Sequence, residues 1–149
     1  VERSDAEASI EGQPPGEPFY RGRRLGLPET GSGSVASTWR RVAAIFLDWW
    51  AAVLIARLLA GDSDPSTQSM LTTAIFAVEI ILLTWSTQAS FGQRLVGIRV
   101  VGLAGSGRLG LGACAVRTLL ICLFVPAIIW DDDNRGLHDR AVGSVVVRG

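Results

Sequence analysis

The chain has no lysine; all 14 of its basic residues are arginine. That bias reads as a GC-rich coding sequence rather than as arginine-specific recognition. The 14 acidic residues balance the 14 basic ones, so the cationic surplus that nucleic-acid binding demands is missing. Cysteine is scarce. Cys114 and Cys122 stand eight positions apart in one apolar segment, a spacing that is neither a redox nor a zinc motif, and both read as small buried apolar residues. The single histidine, His138, precedes Asp139. Neither a G-x-S-x-G elbow nor a nucleophilic cysteine accompanies it. The chain therefore does not read as an enzyme, no cofactor or metal is expected, and His138 reads as a residue that orders the C-terminal region. The N-terminal stretch is acidic and lacks an apolar core, so no cleavable signal peptide is expected.

What the chain does have is apolar length, 48% of its residues being hydrophobic. Residues 1–38 are the exception: they carry Glu, Asp, Pro, Gly and Ser without apolar periodicity and read as a disordered cytoplasmic tail. Arg21, Arg23 and Arg24 near Phe19 and Tyr20 read as solvated charges, with anionic headgroups as a second reading. Leu27-Pro28-Glu29-Thr30-Gly31 matches a sortase sorting pentapeptide. It precedes the first apolar run instead of following near the C-terminus, and reads as coincidence.

A first span is expected over about 42–60, with Trp39 at its entry and Arg57 snorkelling at its far end. Asp62 and Asp64 mark the turn after it. A second span is expected over about 70–85, ending on Trp85. The next stretch, 86–112, holds Arg94, Arg99 and Arg108 and no acid. By the positive-inside rule the arginine-bearing ends face the cytoplasm and the Asp62/Asp64 turn faces out.

Leu95–Val101 has a strand-like, β-branched character. Gly105–Gly110 matches G-x-G-x-x-G, with Asp131 at about the distance of a ribose-binding acid. The stretch between them is apolar all round and no βαβ series follows, so the motif reads as a glycine-rich turn between short strands. A third apolar helical segment, about 111–130, contains Arg117 and Pro126 and is expected either to cross or to be re-entrant. The final Ala141–Arg148 run reads as a strand able to pair with Val96–Val101 if both lie on one side, which favours a cytoplasmic C-terminus.

The residues of chemical interest are charges inside these apolar runs. Asp48 lies seven residues from Arg41, on nearly the same helical face and about 10 Å above the inner end. Glu79 reaches a similar height on the second span, and Arg117 lies five or six residues into the third segment. All three fall in one layer of the inner half of the membrane. Two carboxylates near one guanidinium are suited to sharing a proton or binding a monovalent cation. The alternative is interhelical glue that fixes packing.

Several of these pieces together resemble the RDD family of small bacterial membrane proteins. Arg41-x-x-Ala44-x-x-x-Asp48 resembles its arginine and first aspartate, and Ser90-Phe91-Gly92-Gln93-Arg94-Leu95-Val96-Gly97-Ile98-Arg99-Val100-Val101 its central loop. Gly136-Leu137-His138-Asp139-Arg140-Ala141-Val142-Gly143-Ser144-Val145-Val146-Val147 resembles its C-terminal signature, with Asp139 as the second aspartate. Arg23–Pro28 leading to Gly33–Ala36 is similar to the actinobacterial branch. Gln93 stands where the family usually has lysine, and 117–139 is shorter than in many relatives. The resemblance implies a membrane domain over 39–149; transport, including cation/proton exchange, has been suggested for such proteins.

The expectation is therefore a mainly α integral protein of the bacterial inner membrane, multi-pass, with a cytoplasmic N-terminus. It has two transmembrane helices, a third apolar helical segment and a small cytoplasmic β element. Its partners are the lipid bilayer and further copies of itself or a larger membrane complex. Function is expected to be a proton-coupled cation or small-solute transporter component acting as an oligomer, or alternatively a non-transporting scaffold or assembly factor. The charge cluster expected to carry either role is Arg41, Asp48, Glu79, Arg117 and Asp139, with Arg41 and Arg117 as countercharges to Asp48 and Glu79.

Overall fold

A computed structural model of the chain describes residues 19–123 and 135–149. Two helices of 23 residues each dominate it: α1 (Thr38–Ala60) and α2 (Pro65–Thr87). Each rises about 34 Å at 1.5 Å per residue, enough to cross a bilayer, and both are long and apolar enough to do so. α1 stops at Gly61, whose φ of 55° lies in the left-handed region that glycine enters without steric cost. α2 starts on Asp64, whose carboxylate accepts the Thr67 N–H at 3.0 Å and the Thr67 hydroxyl at 2.7 Å, with Pro65 in the first helical turn.

The faces of the two long helices are distributed inside out. The buried stripe of α1 is Arg41, Ala44, Asp48, Ala52 and Ala56, at helical spacing. Its large apolar residues point outward, among them Phe46, Trp50, Leu54 and Leu58. In α2 the buried stripe is Thr72, Phe76, Ile80 and Thr84, while Met70, Val78, Leu82 and Trp85 are exposed. Water would penalise such an arrangement, since apolar area gains by leaving it. Where hydrocarbon is the solvent, small and polar residues between helices are what remains favourable.

After α2 the chain folds back on the helices. Gln88 takes a left-handed φ of 63°; its side-chain amide donates to the Gly107 carbonyl and its own carbonyl accepts from Val100 N–H at 2.7 Å. Then come the short helix α3 (Phe91–Leu95), strand β1 (Ile98–Gly102), helix α4 (Leu111–Cys122), short helix α5 (Leu137–Ala141) and strand β2 (Ser144–Arg148). β1 and β2 pair antiparallel, with Ile98 opposite Arg148 and Gly102 opposite Ser144. The pairing expected between the two valine-rich runs is present, so β1 and the C-terminal strand lie on one side of the molecule.

Two expectations are corrected here. The tail expected to be structureless through residue 38 is ordered where it meets the sheet. Gly33 N–H donates to the Arg148 carbonyl, Arg148 N–H to Ser34 and Ala36 N–H to Val146, each at 2.9 Å, and Val35 bridges Val147. β2 is thus flanked on both edges, and Val145, Val146 and Val147 are all buried, as a central strand requires. The glycine-rich turn at 105–110 joins a strand to a helix, β1 to α4, rather than two strands. Of the expected third segment, α4 forms over Leu111–Cys122; 124–130 with Pro126, Asp131, and tail residues 1–18 lie outside the described residues.

Two apolar clusters stack along the helices. The one at the sheet end gathers Ala36, Ala44, Ile98, Val100, Leu109, Cys114 and Val146; the other, farther along, gathers Ala52, Phe76, Ile80 and Ile121. On α1, Asp48 falls between Ala44 and Ala52. On α4, Arg117 falls between Cys114 and Ile121. A polar layer therefore separates two apolar ones.

Candidate functional site

The layer has two centres. The first is Asp139, fully buried on α5. Gly136 brings α5 in as a tight turn. A side chain at 136 would run into the His138 ring. Arg117 Nε donates to Asp139 Oδ1 at 2.8 Å and Arg41 Nη1 to Oδ2 at 3.2 Å, with all three side chains buried. The Ser144 hydroxyl donates to Oδ1 at 3.1 Å, and His138 Nε2 lies 3.5 Å from Oδ2. Arg41 also donates through Nη2 to the Val146 carbonyl of β2 at 3.1 Å. One carboxylate thus ties α1, α4, α5 and the sheet. Burial pushes its pKa up, but the nearby charges of Arg117, His138 and Arg41 outweigh burial and hold it below the ordinary carboxylate range.

The second centre is Asp48, 2% exposed on α1. Its expected countercharges belong elsewhere: Arg41 and Arg117 spend their ion pairs on Asp139. Asp48 is held by α3 instead. The Ser90 hydroxyl donates to Oδ2 at 2.6 Å and the Gly92 N–H donates to Oδ1. Glu79 of α2 accepts the neighbouring Phe91 N–H at 2.8 Å. The first turn of α3 is therefore pinned by carboxylates from both long helices. This satisfies amide groups that a helix start leaves without intrahelical partners.

Local sequence explains the geometry. Ser90 and Gln93 form a capping box in which the Ser90 oxygen also accepts from Gln93 N–H. Gly92 is obligatory, because a Cβ there would overlap the Ala44 carbonyl oxygen and come within 3.0 Å of Asp48 Oδ1. The S-x-x-Q pattern was present in the sequence as a helix-start signal, and it marks the missed partners of Asp48. Ser144, the other missed contributor, has no comparable signature.

A cleft of about 580 Å³ opens beside this layer, bordered by Asp48, Ser90, Gln93 and Arg117 at its polar end and by apolar side chains of α1, α2 and α4 elsewhere. Trp49 and Phe76 meet edge to face on its wall with centroids 5.4 Å apart. Among the described residues, no group of His, Cys, Asp and Glu side chains is arranged to hold a metal ion.

The model of the RDD family matches residues 35–143. The chain belongs to the RDD family. Neither a curated relative nor a solved structure matches it. Both centres fall inside the matched RDD region, as do α1 and α2, so the RDD match and the two long apolar helices agree on a membrane protein. In this RDD chain the pairing that joins the expected site residues is Arg41 and Arg117 with Asp139; Asp48 and Glu79 join them as neighbours in the layer, not as ion-pair partners.

Proposed function

We propose that this RDD protein is a multi-pass protein of the bacterial cell membrane, with its N-terminus on the cytoplasmic side, and that it is a proton-coupled small-solute or cation transporter component working as an oligomer. The observation that carries the reading is Asp48: a carboxylate in the middle of an apolar helix, on the wall of a cleft, with no ion-pair partner among the described residues. An acid at that depth costs about 2.5–3.5 kcal/mol on insertion scales, and such residues mark ion and proton paths by default. Orientation is supported by charge. Arg94, Arg99 and Arg108 lie at the sheet end, and Asp62 and Asp64 at the opposite turn.

A scaffold or assembly role is the second reading, favoured by Asp139. Two arginines from two helices on one buried carboxylate fix how the helices pack and need no solute. The two readings part in proteoliposomes. The transport reading expects pH-dependent flux that Asp48→Asn abolishes while the protein stays folded. Absence of flux in every cation and solute gradient, with stoichiometric co-purification of a larger complex, selects the scaffold.

A further inference from the structure

α2 packs against both α1 and α4, and the cleft lies between those two outer helices. Its walls are Ile45, Phe46, Trp49, Phe76, Ile80 and Ile121. At its polar end stands Arg117, only 3% exposed. Its Nε is spent on Asp139. Its two Nη atoms donate to no atom of the described residues, although the side chain borders the cleft. A guanidinium carries five N–H donors, and Nε uses one of them. The four that remain, on a side chain that borders the cleft, suit an anionic acceptor, best a planar carboxylate that a guanidinium grips at two points.

The charge count says when that acceptor fits. Arg41 and Arg117 bring two positive charges, Asp139 and Asp48 two negative ones. With Asp139 and Asp48 ionised, and Glu79 and His138 either both neutral or both charged, the layer is neutral and has no call for an anion. The charge of Arg117 reaches Asp48 without an ion pair joining them. A proton on Asp48 leaves the layer one positive charge in excess. Protonated Asp48 still accepts from Ser90 and Gly92 through its remaining lone pairs, and gains a donor. The other titratable groups facing the layer are Glu79 from α2, engaged by Phe91 N–H; His138 from α5, beside Asp139; and Cys114 from α4, while Cys122, exposed at the end of α4, borders the cleft.

We propose that this cleft binds a monovalent amphipathic anion, an alkyl or aryl carboxylate, on the Nη groups of Arg117, and that one proton taken up by Asp48 accompanies it. The anion and the proton together add no net charge, and the aromatic walls cover the tail. The proposal rests on the transport reading only in naming its solute class; the binding itself is separable.

The test uses the full chain in phosphatidylcholine nanodiscs, with hexanoate as probe and hexanol and hexylammonium as tail-matched controls, each corrected for empty nanodiscs. Binding is followed by tryptophan fluorescence and calorimetry between about pH 6 and 8, where hexanoate is ionised. Hexanoate is expected to bind at least tenfold tighter than either control, to weaken as pH rises toward a limit of about tenfold per unit, and to draw one proton from weakly buffered solution. Asp48→Asn is expected to bind hexanoate without pH dependence or proton uptake, and Arg117→Lys, which keeps the charge but loses the fork, to bind at least tenfold more weakly. Glu79→Gln is expected to keep the proton uptake. Equal binding of hexanol or hexylammonium overturns the proposal, as does proton uptake that survives Asp48→Asn or disappears with Glu79→Gln. If Asp48→Asn does not fold, the pH slope and proton count of the unaltered chain decide. Hexanoate binding without flux removes transport and leaves this inference standing; cation flux without hexanoate binding removes this inference alone.

Discussion

Arg41 on the first long helix and Asp139 near the C-terminus are 98 residues apart in sequence and 3.2 Å apart in space, both buried. Arg117 completes the group from a third helix. Asp139→Asn removes the one carboxylate that, among the described residues, both guanidiniums share. It is expected to destabilise the fold by about 3–5 kcal/mol, the range for leaving one side of a buried ion pair uncompensated, as measured by denaturant unfolding in detergent. A loss under 1 kcal/mol would show that the arginines find other partners.

The same residue gives the pH dependence its sign. Its folded-state pKa lies below the unfolded value of about 3.9. Its stabilisation is therefore present above that value and is lost as pH falls through the folded one. The unaltered chain is expected to lose stability on acidification below about pH 4 more steeply than Asp139→Asn. Parallel acid limbs for the two proteins would contradict it.

Gly92 lets α3 lie against α1. In Gly92→Ala the added methyl meets the Ala44 backbone carbonyl, which cannot rotate away as a flexible side chain would, and also Asp48. The expected cost is roughly 1–3 kcal/mol, as for overpacking elsewhere, together with faster hydrogen exchange at the Gly92 and Phe91 amides. Ser90→Ala should act in the same direction, since it removes a hydroxyl donor to a buried carboxylate.

Ala36 carries a ladder hydrogen bond from the segment before α1 to the central strand. Ala36→Pro removes that donor and is expected to cost on the order of 1–3 kcal/mol and to raise hydrogen exchange in β2. An unchanged β2 would mean that Gly33–Ala36 contributes nothing to the sheet.

At the opposite end, Asp64 is exposed and caps α2. Hydrogen bonds from Ser66 first, then from Thr67, hold its pKa below the usual range. The cap should therefore weaken as pH falls toward and below the ordinary carboxylate value. Asp64→Ala is expected to fray the first turn at any pH, read as faster exchange at the Thr67 amide, with the rest of α2 unaffected.

The sequence made the long helices and the paired strands legible because each is announced locally, by unbroken apolar length in one case and β-branched runs in the other. The layer of charges was legible too, since helical rise fixes the height of Asp48 and Glu79 on their own helices. Their partners were not. Asp48 meets Ser90 and Gly92 because the chain reverses at Gln88, a left-handed glutamine with no turn signature. Arg117 meets Asp139 because α5 packs against α4, a long-range contact that no local periodicity announces. The third edge of the sheet escaped notice for the opposite reason: Gly33–Ala36 has one β-branched residue, and β2 supplies the pairing.

α1 and α2 are expected to form a hairpin across the bilayer with the sheet and both of its five-residue strands on one side. Single cysteines at Asp62→Cys, Arg99→Cys and Gly149→Cys, in a background with Cys114 and Cys122 changed to alanine, measure it directly because all three positions are exposed. An impermeant maleimide applied to intact cells is expected to label position 62 alone, with 99 and 149 reacting only once the membrane is opened. Labelling of 99 and 149 from opposite faces, or of all three in intact cells, would contradict a hairpin with the sheet on one side.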